Sequence, residues 1–176
     1  GLPADHFEIA RIAKKYNLDP FLREIWCIVT PEKPAYGQYQ AKERSTLIMA
    51  GRDGYLKYAQ NHPDFEYIKS ECVKENDQFE LDAVNGTIKH IIGTKRGAVV
   101  GAWCLVKLKS QQEPIAQYAS VEDYAKASGA WQTHRAAMIK KVAQSITLKL
   151  VMGLTGLVSQ EEMGYDKPII QNAEFE

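Results

Sequence analysis

The stretch FELDAVNGTIKHII, Phe79 to Ile92, decides the fold class. Two strand-like runs flank Asn85-Gly86, the dipeptide that a two-residue type I′ turn favours because both central residues need positive φ. A hairpin closed by that turn sets Val84 opposite Thr87, Leu81 opposite His90 and Asp82 opposite Lys89. The last pair adds a favourable cross-strand charge contact. Before the hairpin FEYIKSECV (Phe65 to Val73) reads as a strand, and after it GTKRG turns the chain into AVVGAWCLVKLK (Ala98 to Lys109). An antiparallel meander of four strands is expected.

Towards the C-terminus, HRAAMIKKVAQSITLKL (His134 to Leu150) has a helical period: Ile139, Val142, Ile146 and Leu150 recur at spacings of three and four and share one face. That face should pack on the sheet. Arg135 and Lys149 fall near the margins of the stripe, whereas Lys140, Lys141 and Gln144 are expected on the other side. Ser120 with Asp123 three residues on is a capping-box start for SVEDYAKAS, and Ser128-Gly129 breaks that helix from the long one.

Towards the N-terminus, Ala4 to Tyr16 reads as a short helix stopped by Asn17 and Pro20. Glu24 to Thr30 reads as a strand, a second is expected around Tyr36 to Gln40, and Thr46 to Met49 reads extended. Gly51 and Gly54 then bracket a switch to a helix over Asp53 to Gln60, with Tyr55, Leu56 and Ala59 inward. The expected fold is α+β, a central antiparallel meander and hairpin sheet with a long C-terminal helix across it and a short N-terminal helix. A length of 176 residues suits one core, so residues 1–176 are taken as a single domain, a piece lacking flexible tails. With no apolar run long enough to span a bilayer, a soluble, cytoplasmic protein is expected. Cys27, Cys72 and Cys104, an odd count without paired spacing, read as reduced core thiols.

The net charge is zero, yet the charges are segregated. From Ala83 to Gln112 there is no acid and five cations, Lys89, Lys95, Arg96, Lys107 and Lys109; from Tyr124 to Gln160 there is no acid and five more, Lys126, Arg135, Lys140, Lys141 and Lys149. Acids gather instead in Gln60 to Asp82 and in Glu161 to Glu176. Such blocks hide strong local fields under a neutral total and suit a polyanion-binding face.

Catalytic signatures are scarce. No GxxxxGK[ST] loop is present, and His6, His62, His90 and His134 are scattered without metal-ligand spacing. Glu71, Glu75, Asp77, Glu80 and Asp82 could hold a metal for a nuclease, although their position around the hairpin favours a solvated acidic face. GRDGY could cradle a phosphate or simply turn a strand into a helix. Aromatic residues beside cations suit single-stranded nucleic acid: Trp103 shares a sheet face with Lys107 and Lys109, and Trp131 enters the helix that carries Arg135. Core packing competes as the reading of Trp103.

The order LDPFLREIW, LIMAGRDGYLKYAQ, ENDQFEL, IKH, RGAVVGAWCLVKLK, SVEDY and Trp131 through HRAAMIKKVAQSITLKL resembles the RecT/Bet family of phage single-strand annealing proteins across nearly the whole chain. Its most specific parts are Asp19-Pro20-Phe21 with Glu24-Ile25, the Gly51/Gly54 segment, and MIKKVA from Met138 to Ala143. The chain departs from the family at Asp19, often asparagine, and at Arg52-Asp53, where a basic residue commonly follows an aromatic one. The resemblance implies ATP-independent annealing of complementary strands in phage recombination, by rings or helical filaments of subunits on single-stranded DNA and annealed duplex. It implies no required cofactor, with Mg²⁺ accompanying the DNA, and a phage 5′–3′ exonuclease and the host single-strand-binding protein as candidate partners. The candidate DNA-binding residues are Arg52, Lys57, Lys95, Arg96, Lys107, Lys109, Trp131, Arg135, Lys140, Lys141 and Lys149. A metal-dependent nuclease and a passive single-strand-binding module are the alternatives.

Overall fold

The computed structural model describes residues 3–35, 41, 43–127, 129–154 and 156–159. α1 (Pro3–Tyr16) ends where Asn17 takes the left-handed conformation and the Leu18 N–H reaches the Ala13 carbonyl at 2.9 Å, which satisfies an orphan carbonyl of the last turn. Next come β1 (Ile25–Thr30), β2 (Ser45–Ala50) and α2 (Arg52–Gln60). β3 (Phe65–Lys74), β4 (Gln78–Asp82), β5 (Thr87–Ile91), β6 (Val99–Leu108) and β7 (Ile115–Ser120) carry the centre of the chain. α3 (Val121–Tyr124), α4 (Ala130–Thr133), α5 (Arg135–Val151) and β8 (Val158–Ser159) complete it.

The molecule is α+β, with antiparallel sheets, a short N-terminal helix and a long C-terminal one. Its strands do not run as the expected four-strand meander. β3 pairs with β6 rather than with β4, β6 pairs with β7, and β4–β5 forms a separate hairpin. A further sheet joins β1, β2 and β8. The strand expected around Tyr36 to Gln40 lies outside the described residues, as does the acidic block from Glu161 to Glu176.

The hairpin register is also displaced. Asp82 faces Thr87, Glu80 faces Lys89 and Phe79 faces His90, so four residues rather than two make the loop. The Asp82 carboxylate is the cause: it accepts from the Val84 N–H at 2.9 Å, the Asn85 N–H at 3.1 Å and the Asn85 side-chain amide at 2.7 Å. An aspartate that captures the following N–H groups builds its own turn. Gly86 keeps positive φ, and a Cβ there would lie 2.0 Å from the Pro114 carbonyl oxygen. Because the slip is two residues, every side chain keeps its face.

That inner face sits over the β3–β6–β7 sheet. Phe79 meets Tyr118 at 5.3 Å between ring centroids, and His90 meets Trp103 at 6.2 Å. The opposite sheet face is covered by α5, through fully buried Ile139 and Val142 and buried Met138 and Leu148. Each such side chain contributes about 1.5–3 kcal/mol of burial. Two expectations for this helix fail. Leu150 is 59% exposed rather than part of the stripe. Lys140 and Gln144 reach β3 rather than pointing away, Lys140 to Glu71 at 3.5 Å and Gln144 to the Ser70 hydroxyl at 2.8 Å. All three cysteines are free, and burial pushes the Cys104 thiol up to about 12.

Candidate nucleic-acid interface

Alternation along β6 separates the two basic blocks. Ala102, Cys104 and Val106 are buried under α5. Trp103 and Lys107 therefore share the other face, the one under the hairpin. The expected common face holds for Trp103 and Lys107, whereas Lys109 lies beyond the end of β6. The consequence is that α5 and Lys107 do not line one groove, because the sheet lies between them.

Most cations of the first block are held in place. Arg96 grips the fully buried Asp77 carboxylate at 2.7 Å and donates to the Cys72 carbonyl at 2.9 Å. The Arg96 guanidinium holds the Asp77 carboxyl well below the usual carboxylate range, against burial and with help from the Lys74 N–H, His90 and the Gly93 N–H. Trp103 can only donate, and it gives its N–H to His90 Nδ1 at 3.0 Å. The His90 ring proton therefore sits on Nε2, 3.1 Å from Asp77. Lys89 faces Glu80 at 3.9 Å, Lys109 donates to the Pro63 carbonyl at 2.7 Å, and Lys107 donates to the carbonyls of Leu108 and Gln111. Lys95 is exposed without an ion pair among the described residues.

Elsewhere, Arg52 pairs with Asp53 at 3.0 Å and Lys57 with Glu24 at 2.8 Å. Trp131 is fully buried, so its ring offers no face to a base and instead anchors α4 in the core. The acidic run is likewise engaged. Glu71 meets Lys140 and the Cys72 N–H; burial pushes its carboxyl up, but those contacts outweigh it and its pKa falls. Glu75 accepts from the Ala98 N–H at 3.0 Å, and Asp82 closes the hairpin loop. Among the described residues no three metal-ligating side chains gather.

The start of α5 is different. Gly129 at positive φ admits the α4 turn, and His134 at φ −132° and ψ 41° separates α4 from α5. No side chain caps α5, its first turn holds no acid, and Arg135 stands there exposed. A cation at a helix N-terminus opposes the macrodipole, and the dipole and cation together favour an anion. Lys126 is exposed nearby in sequence, and Lys141 is half-buried six residues into the helix. Neither they nor Arg135 has an ion pair among the described residues. Lys149, half-buried in the last turn, suits the dipole at that end. Lys126 and the uncapped start are additions to the site expected from sequence. Their signal was legible: a histidine, not Ser, Thr, Asp or Asn, precedes Arg135.

A family model described as RecT family matches residues 2–175. Among curated proteins no relative matches the chain. No helix among the described residues is long and apolar enough to cross a membrane.

Proposed function

This chain belongs to the RecT family, and from that premise we propose that it grips single-stranded DNA at the start of α5 and pairs complementary strands without ATP. DNA binding and single-strand annealing in recombination come with the family. The observation that carries the location is the uncapped, acid-free first turn of α5 with Arg135 exposed on it. Lys126 and Lys141 extend the positive field from the same acid-free segment. Phosphate contacts of this kind hold a strand without reading its bases, which leaves the bases open to a complement.

Annealing makes and breaks no covalent bond, so it requires no nucleotide hydrolysis or resident cofactor; Mg²⁺ accompanies the DNA as counter-ion. One molecule offers a short track, and copies along a strand, as a ring or helical filament, raise the effective concentration of one strand for the other. An exonuclease of 5′–3′ polarity would bare the strands and a host single-strand-binding protein would coat them, all in the bacterial cytoplasm. The test is annealing of labelled oligonucleotides without ATP, with and without chelator. Complementary pairs should anneal faster than in buffer and non-complementary pairs should not. Binding of one strand without acceleration would indicate a passive binder, and chelator-sensitive cutting would indicate a nuclease; either would overturn the reading.

A further inference from the structure

The β4–β5 hairpin shares no strand ladder with the rest of the described molecule. Apart from the seat of Gly86 against Pro114 at its tip, side chains carry its hold on the β3–β6–β7 sheet. Phe79, Leu81, Ile88 and His90 alternate inward, with the residues between them exposed. His90 is the polar member of that inner face, and its side chain is only 5% exposed. Both ring nitrogens are committed. Nδ1 accepts the Trp103 N–H at 3.0 Å and Nε2 donates to Asp77 at 3.1 Å, an arrangement open only to the neutral ring. A proton arriving from solvent has only Nδ1 to bind. Once there it meets another donor, because the indole nitrogen can give a hydrogen bond but not accept one.

The charges around the ring do not offset that conflict. Asp77 is already matched by Arg96 at 2.7 Å, and its oxygens also accept from the Lys74 N–H at 2.9 Å and the Gly93 N–H at 3.3 Å. Glu71, opposite Trp103 in β3, pairs with Lys140 of α5. Lys107 is tied to the carbonyls of Leu108 and Gln111, and Lys69 lies over the Tyr67 ring at 4.9 Å. Lys89 and Glu80 face one another on the outer side of the hairpin. Tyr118, which meets Phe79, ionises only far above neutrality, and burial pushes it further up. A second positive charge on His90 would therefore be buried beside a carboxylate whose charge is already answered, at a cost that docking cannot share with water.

We propose that neutral His90 latches the hairpin to the sheet and that protonation of His90 releases it, uncovering the Trp103 and Tyr118 rings as an acid-opened flap. Histidine is the side chain that ordinarily changes charge between about pH 5 and 8. Docking favours the neutral ring, so it is complete above that range and is lost as pH falls through it. Asp77 stays ionised throughout, its carboxyl held well below the usual carboxylate range by Arg96. The flap lies across the sheet from α5, so it stands or falls independently of the DNA-gripping surface, and its test contains no DNA. A two-stranded hairpin is marginal in water by itself, so its amides lose protection once it leaves the sheet. Hydrogen exchange read by mass spectrometry compares residues 78–91 with the body of α5 at pH 7.5 and pH 5.5, each corrected for the intrinsic exchange rate. In the parent, hairpin protection relative to α5 should fall roughly tenfold, the change that one linked proton gives over one pH unit. His90→Gln keeps an acceptor and a donor but takes no proton, so its ratio should not change with pH. Trp103→Phe removes the opposing donor, and its fall should be smaller than the parent's. A parent ratio that is the same at both pH values, an equal fall in His90→Gln, or a parent-sized fall in Trp103→Phe would overturn the proposal.

Discussion

Arg96 and Arg135 carry the same charge and have opposite surroundings. Arg96 is spent on a carboxylate with no exposed side-chain surface, so Arg96→Met should lower the thermal midpoint by several degrees while the folded protein keeps its DNA affinity. Acid should act on the same network. The Asp77 carboxyl is held below its ordinary value by Arg96, so its contribution to stability is present at neutral pH and is lost as pH falls through the unfolded value near 3.8 and on towards the folded one. Asp77→Asn should therefore be less stable than the parent at pH 7 but lose less on further acidification, as thermal melts from pH 7 to pH 3 would measure. An equally steep decline in Asp77→Asn would assign the acid sensitivity elsewhere. The sequence does not distinguish the two arginines, since both lie in acid-free runs. Arg96 meets an acid nineteen residues away, brought to it by the hairpin. Trp131 has the same history: its neighbours along the chain suggest a stacking platform, but folding buries it.

Among the elements, α2 shows how a glycine can be required inside a helix. Replacing Gly54 with alanine should gain about 1 kcal/mol of helix propensity, but the new Cβ would press on the Glu24 carbonyl oxygen at 2.6 Å. Overpacking against backbone costs about 1–3 kcal/mol, so Gly54→Ala is expected to lower the thermal midpoint by a few degrees. A midpoint equal to or above the parent's would mean that the loop yields without cost. Periodicity and caps made α1, α2, the Ser120 cap and the body of α5 legible, the Ser120 hydroxyl accepting from the Asp123 N–H at 3.0 Å. Pairing was less so. Asn85-Gly86 is a strong turn signal, but Asp82 captured the N–H groups first and lengthened the loop. The partner of β3 is set by packing across the sheet, which no local pattern reports, and β7 (IAQYAS) is too mixed to stand out as a strand.

Across the whole molecule, the sheet turns one charge pattern into two surfaces. The block with Lys89 and Lys107 lies on the hairpin side, largely tied to acids and carbonyls, and the block with Arg135 and Lys141 lies on the α5 side. Segregation was visible along the chain, whereas the division between faces required the fold. The most direct test of the α5 surface is the salt dependence of single-strand affinity, measured on several sequences for the parent, Arg135→Ala/Lys141→Ala and Lys107→Ala/Lys109→Ala. With two phosphate contacts removed, the first variant should bind every sequence more weakly, and its slope of log affinity against log salt should be shallower by about 1.4. The second should keep the parent slope. If Arg135→Ala/Lys141→Ala keeps the parent affinity and slope while Lys107→Ala/Lys109→Ala loses both, DNA lies on the hairpin face and the assignment to α5 is wrong.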